Sequence, residues 1–237
     1  MSTITIEQRE TIAKKLADME LSFGLGDEKS ACSVAAINIA LRGKLSAEIP
    51  PCMSEVIGQW IILVQDGMPR DMRNSEEWKS LLPLAAGTGR EKEEERRDVV
   101  LDWMWRIVLP TLQPVADSNG FGDMWKYMIA MRTSSKMPEI GKARKTALLP
   151  EFVLTRVIDA AKRAQQAERS SRTGESFSYT ASQVAKTTWT VSEAIARYAV
   201  LCKETSEEAI VAERASKKST WAQFNPCALL KTLIEVK

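Results

Sequence analysis

Apolar residues recur at helical spacing along nearly the whole chain. Ile12, Leu16, Met19 and Phe23 fall at i, i+4, i+7 and i+11, which predicts a first helix with a single apolar stripe. Thr5 and Gln8 stand at capping-box spacing ahead of it, and Gly24-Leu25-Gly26 reads as its stop. Between Ser30 and Leu41 the chain is apolar nearly all round, as in a helix buried on most sides. Ile49-Pro50-Pro51 breaks the chain. Ser54 then caps a helix carrying Val56, Ile57, Trp60, Ile61 and Val64, and Ser75 caps another that begins Glu76-Glu77-Trp78. After Gly87-Thr88-Gly89 a long helix opens with acidic residues that suit its dipole, turns apolar from Val99 to Leu109, and is ended or kinked by Pro110. Asn119-Gly120 is a turn, with Asp123 as the cap of a helix bearing Trp125, Met128, Ile129 and Met131.

The stretch 133–148 is poor in large apolar residues and rich in Ser, Lys, Arg, Gly and Pro, as expected of a linker or an exposed excursion. Pro150 launches a helix from Glu151 to about Ser170, with Val153, Val157, Ala160, Ala161 and Ala164 on its narrow apolar face. Ser176 to Thr180 alternates polar and aromatic residues like a short strand, yet Thr180 and Gln183 also have capping-box spacing, so two readings compete. Thr205 with Glu208 caps a further helix. Asn225-Pro226 starts a terminal amphipathic one through Leu229, Leu230, Leu233 and Ile234. The expectation is an all-α, irregular multi-helix bundle of about eight to ten helices, with at most one short strand pair. Its organisation would be an acidic unit 1–132, a basic linker 133–148 and a basic helical unit 149–237 packing on the first.

Composition narrows the chemistry. The chain has 237 residues, 44% hydrophobic and 27% charged, with no histidine. Triads based on imidazole, His-ligated metal sites and histidine pH switches are therefore excluded. The N-terminus has neither a basic nor an apolar leader region, and no apolar run reaches the length of a bilayer span, so a cytoplasmic, non-membrane protein is expected. Cys32, Cys52, Cys202 and Cys227 are isolated, with no CxxC pair. They read as buried free thiols rather than a zinc site or a reactive nucleophile.

Three local patterns invite functional readings that the residues themselves weaken. Gly24 to Ser30 ends in Lys-Ser like a phosphate-binding loop, but Glu28 occupies the position where that loop requires glycine, and no strand precedes it. Gly87-Thr88-Gly89-Arg90 could offer amides and a guanidinium to an anion, although the five acidic residues between Glu91 and Asp98 argue for a plain helix stop. Glu91, Glu94, Glu95 and Asp98 share helical neighbourhoods and could hold magnesium. Interleaved Lys92, Arg96 and Arg97 make a solvated, salt-bridged face the better account. No catalytic residue, cofactor or metal site is assigned, and a carboxylate and magnesium enzyme stays a minor alternative.

Tryptophan and charge are more informative. Trp60, Trp78, Trp103, Trp105 and Trp125 lie in apolar helices, where large rings mostly fill core. Trp103 and Trp105, two apart, cannot both face one side of a regular α-helix, so one of them is expected at a second interface, between units or with a partner. Trp189 and Trp221 lie in polar stretches and read as exposed anchors for a partner. Residues 1–130 hold 15 Lys+Arg against 20 Asp+Glu, net −5, and residues 131–237 hold 18 against 11, net +7. The excess centres on Arg132, Lys136, Lys142, Arg144, Lys145, Arg156, Lys162, Arg163, Arg169 and Arg172. Such a run can meet phosphates or an acidic protein surface, but with Phe152 as its one aromatic it lacks the stacking platform of a single-strand binder.

Ala31-Cys32-Ser33-Val34-Ala35-Ala36-Ile37-Asn38, Arg73-Asn74-Ser75-Glu76-Glu77-Trp78, Leu82 to Arg90, and Asn225-Pro226-Cys227-Ala228-Leu229-Leu230 resemble a loose group of helix-rich bacterial and bacteriophage proteins without an assigned function. The resemblance covers about half the chain. It implies a helical fold and a mobile-element origin, and it transfers no catalytic residue. The Ala-rich C-terminal half of that group survives here only in diluted form, at Ala160-Ala161, Ala164 and Ala167. The function expected is a non-enzymatic regulator, inhibitor or adaptor that engages a macromolecular partner through its basic half. The alternative is a nucleic-acid-binding accessory subunit using residues 132–172. The terminal helix reads either as a dimer face of a homo-oligomer or as the closure of the core, so oligomeric state stays open at this point.

Overall fold

The computed structural model describes residues 4–132, 149–201 and 203–236. They form an all-α multi-helix bundle with one two-stranded parallel ribbon, Glu20–Leu21 beside Ser30–Ala31, among the described residues. No described helix is long and apolar enough to cross a membrane. The segment expected as a linker, 133–148, and Cys202 lie outside the described residues.

The chain divides into two compact units. Unit 1 comprises Met1–Val100, Ser176–Ser182 and Pro226–Lys237, and unit 2 comprises Leu101–Glu175 and Gln183–Asn225. In unit 1, α1 (Ile6–Ala17) packs on α2 (Ser33–Arg42) and on α5 (Glu76–Ala85); α2 also packs on α3 (Glu55–Gly67), α5 on the short α4 (Arg70–Arg73), and α12 (Pro226–Glu235) on α5. The helix starts follow from local chemistry. Thr5 forms a reciprocal capping box with Gln8, and Ser54 and Ser75 accept from the amides of Ile57 and Trp78. Ile12, Leu16, Val34, Ile37, Ile57, Trp60, Trp78, Leu82 and Leu233 are fully or almost fully buried, with the rings of Trp60 and Trp78 6.1 Å apart.

α1 is shorter than its stripe. It ends at Ala17, Met19 is buried beyond it, and Phe23, expected on the apolar face, is 66% exposed. The chain instead turns into the parallel ribbon. There Leu21 N–H donates to Asn74 Oδ1, and Gln65 Nε2 donates to the Ser22 carbonyl. Gln65 Oε1 in turn accepts from the amide and hydroxyl of Ser33, whose oxygen also accepts from Trp78 Nε1. A buried polar network therefore decides the exit from α1, and stripe spacing alone cannot reveal it.

α6 (Glu93–Trp103) continues as a π-helical segment, Met104–Val108, and a 3-10 turn, Leu109–Leu112. Pro110 has no amide to give to an i−4 carbonyl, and just before it Leu109 N–H reaches back to Met104. α7 (Gln113–Ser118) and α8 (Gly122–Ala130) follow. Asp123 is in the first turn of α8 but does not cap it; Phe121 is the N-cap and makes no side-chain bond. α9 (Glu151–Thr173), α10 (Phe177–Ala199) and α11 (Ser206–Phe224) complete the set. α10 settles the competition at Ser176–Thr180. Neither a strand nor a Thr180 cap forms there; Ser176 accepts from Tyr179 N–H, and Thr180 lies buried inside the helix.

Candidate partner-binding face

α9 is positioned by its ends and by its small-residue face. Pro150 supplies the carbonyl for the amides of Val153 and Leu154, and Gly174 closes the helix at φ 73°. Val153, Val157, Ala160, Ala161, Ala164 and Ala167 are buried, so the opposite side must carry the charge. At about 100° per residue, Arg156, Lys162, Arg163 and Arg169 fall within an arc of about 140°. Lys162 and Arg169 are exposed, and Arg156 and Arg163 are half-buried at the other edge of the same face. None of the four forms an ion pair with a described carboxylate. Phe152, Thr155, Asp159 and Gln166 run between the two edges, with Phe152 47% exposed.

Other expected site residues stand elsewhere. Arg172 is tied to Glu168 at 2.9 Å, one turn back on α9. Arg132 binds Asp102 at 3.1 Å, a carboxylate that Arg106 shares. Lys136, Lys142, Arg144 and Lys145 lie outside the described residues. Trp189 is half exposed on α10. Trp221 corrects its expectation: it is fully buried and meets Phe224 edge-on at 5.4 Å, while Ser219 and Gln223, polar neighbours in sequence, stand on exposed faces of α11. Trp103 and Trp105 are also both buried within unit 2. Trp103 donates to the Phe224 carbonyl and Trp105 to Glu168, each at 2.9 Å. The two rings meet different partners, as residues two apart on a helix must, but both sides of this segment are covered, so neither ring is left over for the surface.

The acidic cluster divides in two. Glu94 and Asp98 pair with Arg97, and Glu95 with Lys92, making the expected salt-bridged face. Glu93 and Arg96 depart from it, for both are buried. The Glu93 carboxylate accepts from Ser54 Oγ at 2.9 Å and from the amides of Glu55 and Val56 at 2.8 and 3.0 Å, closing the positive end of α3. Arg96 donates to the carbonyls of Thr88, Gly89, Leu233 and Val236, gathering the exit of α5 and the end of α12. A signal was available: counting back from Met104 through Val100, the apolar stripe meets Arg96 and Glu93.

Two anion-binding readings are answered by the protein's own carboxylates. Arg90 is paired with Glu55 beside the Gly87–Gly89 stop. In the Gly24–Ser30 loop, the amides of Lys29 and Ser30 donate to Asp27 Oδ1, which lowers that carboxyl below the usual range and takes the donors a phosphate would need. Cys32, Cys52 and Cys227 are buried free thiols, each pushed above the ordinary range by burial, Cys227 to about 12 with Glu77 beside it. No group of three or more metal-ligating side chains occurs among the described residues. No protein-family model, curated protein or solved structure matches the chain, so the functional reading rests on its own chemistry.

Proposed function

We propose that the protein is a non-enzymatic interaction module, a phage or mobile-element regulator, inhibitor or adaptor, that engages an acidic macromolecular partner through the basic face of α9. The observation that carries this reading is the set Arg156, Lys162, Arg163 and Arg169 on one helical face without described carboxylate partners. Four guanidinium and ammonium groups within about 140° repel one another, and a polyanionic surface relieves that repulsion while releasing counterions. Trp189, half exposed on α10, is the candidate aromatic anchor of the same activity.

The test is binding of the full chain to two generic polyanions, polyglutamate and a mixed-sequence DNA duplex, at low and at physiological salt. Binding to at least one of them, weakened at least tenfold in the quadruple Arg/Lys→Gln variant of the face, supports the reading. Loss of neither, or no binding to either, overturns it. Melting curves of the variant exclude misfolding as the cause.

A further inference from the structure

We infer that the face of α9 is shaped to lie in the major groove of B-form duplex DNA. This rests on the reading above, that the face binds a polyanion, and adds which polyanion. The argument is one of layout. Arg156 and Arg163 line one edge of the exposed face, and Lys162 and Arg169 the other; within each pair the residues are seven apart, about 10 Å along the axis. Between the edges run Phe152, Thr155, Asp159 and Gln166. A helix in a groove about 12 Å wide has phosphates on both flanks and base edges beneath its centre. Cations on both flanks with hydrogen-bonding side chains between them match that division, since phosphate contacts position and base contacts specify.

The central residues suit the floor of the groove. A carboxylate such as Asp159 accepts from the exocyclic amine of cytosine, a hydroxyl such as Thr155 donates or accepts, and an exposed ring such as Phe152 packs on a thymine methyl. An acidic protein surface calls for no such polar seam. The deep, narrow major groove of A-form RNA does not admit a helix, and single strands call for more stacking surface than one phenylalanine provides. At 23 residues α9 extends about 34 Å, ample to cross the groove.

The experiment compares the full chain with a DNA duplex, an RNA duplex of the same sequence, and polyglutamate, each across a salt series. Expected is binding to duplex DNA at least tenfold tighter than to the other two, and a log–log salt slope that falls by about 0.9 for each of Arg156→Gln, Lys162→Gln, Arg163→Gln and Arg169→Gln. Asp159→Ala serves as the second variant. It should alter the ranking among duplexes that differ in C·G content, with the folded state checked by circular dichroism. Equal binding to RNA duplex or polyglutamate overturns the groove assignment and leaves the polyanion reading standing. An unchanged ranking for Asp159→Ala also overturns it. Failure to bind any of the three overturns both.

Discussion

At the scale of single residues, the most consequential side chains are two buried charges. Glu93 accepts three hydrogen bonds at the start of α3, and Arg96 donates to four carbonyls drawn from the α5 exit and the α12 end. Bonds to a charged group contribute about 1.5–3 kcal/mol each, and stripping one partner also strands the others without solvent. Arg96→Met should therefore lower unfolding free energy by about 3 kcal/mol in urea titration. Polyanion binding should be unchanged wherever the protein remains folded. A loss below 1 kcal/mol would mean that the four carbonyls find water and that the guanidinium is incidental. Cys227 gives a pH prediction of definite sign. Its thiol is held near 12 in the folded chain against 9.0 in the unfolded one, chiefly by burial, and Cys32 and Cys52 are raised for the same reason. The folded state thus keeps protons that the unfolded state releases above pH 9. Stability is at its full value below that pH and falls as pH rises from 9 towards 12. Urea midpoints at pH 8 and pH 10 check it, as does slow alkylation of these three thiols in peptide maps of the native protein.

At the scale of elements, legibility in the sequence tracks how local the deciding interaction is. The capping boxes of α1 and α11 and the serine caps of α3 and α5 stand where spacing placed them, because each needs only residues three apart. Pro226 opens α12 where the Asn225-Pro226 dipeptide placed a helix start, while Asn225 itself, read there as an N-cap, is the left-handed C-cap of α11 at φ 48°. The failures involve distant partners. α1 stops at Ala17 because Gln65 and Asn74 claim the following backbone, and Asp123 gives no cap although its residue type is right. The candidate site divides the same way. The basic run of α9 can be read from composition, whereas the burial of Trp221 required the fold, since Thr220 is buried beside it while Ala222 and Gln223 are exposed. This contrast is testable. Trp221→Ala removes a fully buried ring in contact with Phe224 and should cost about 3–5 kcal/mol. Trp189→Ala, at a half-exposed site, should cost under about 1 kcal/mol yet weaken partner binding. Comparable thermal shifts for the two would contradict the burial difference.

At the scale of the whole molecule, the absence of histidine and the placement of charge act together. A net charge of +2 conceals a −5 first part and a +7 remainder, so the field a partner meets depends on which part it approaches. The chain has no histidine, so no side-chain type in it has an ordinary pKa between 5 and 8. DNA phosphates do not titrate there either. Binding through this face should therefore be nearly independent of pH from 6 to 8 at fixed ionic strength, while falling steeply with added salt. Fluorescence anisotropy with a labelled duplex at pH 6, 7 and 8 measures this, and the expected spread is within about twofold. A tenfold rise in affinity on acidification would instead mean that the flanking cations of α9 alone do not describe the contact.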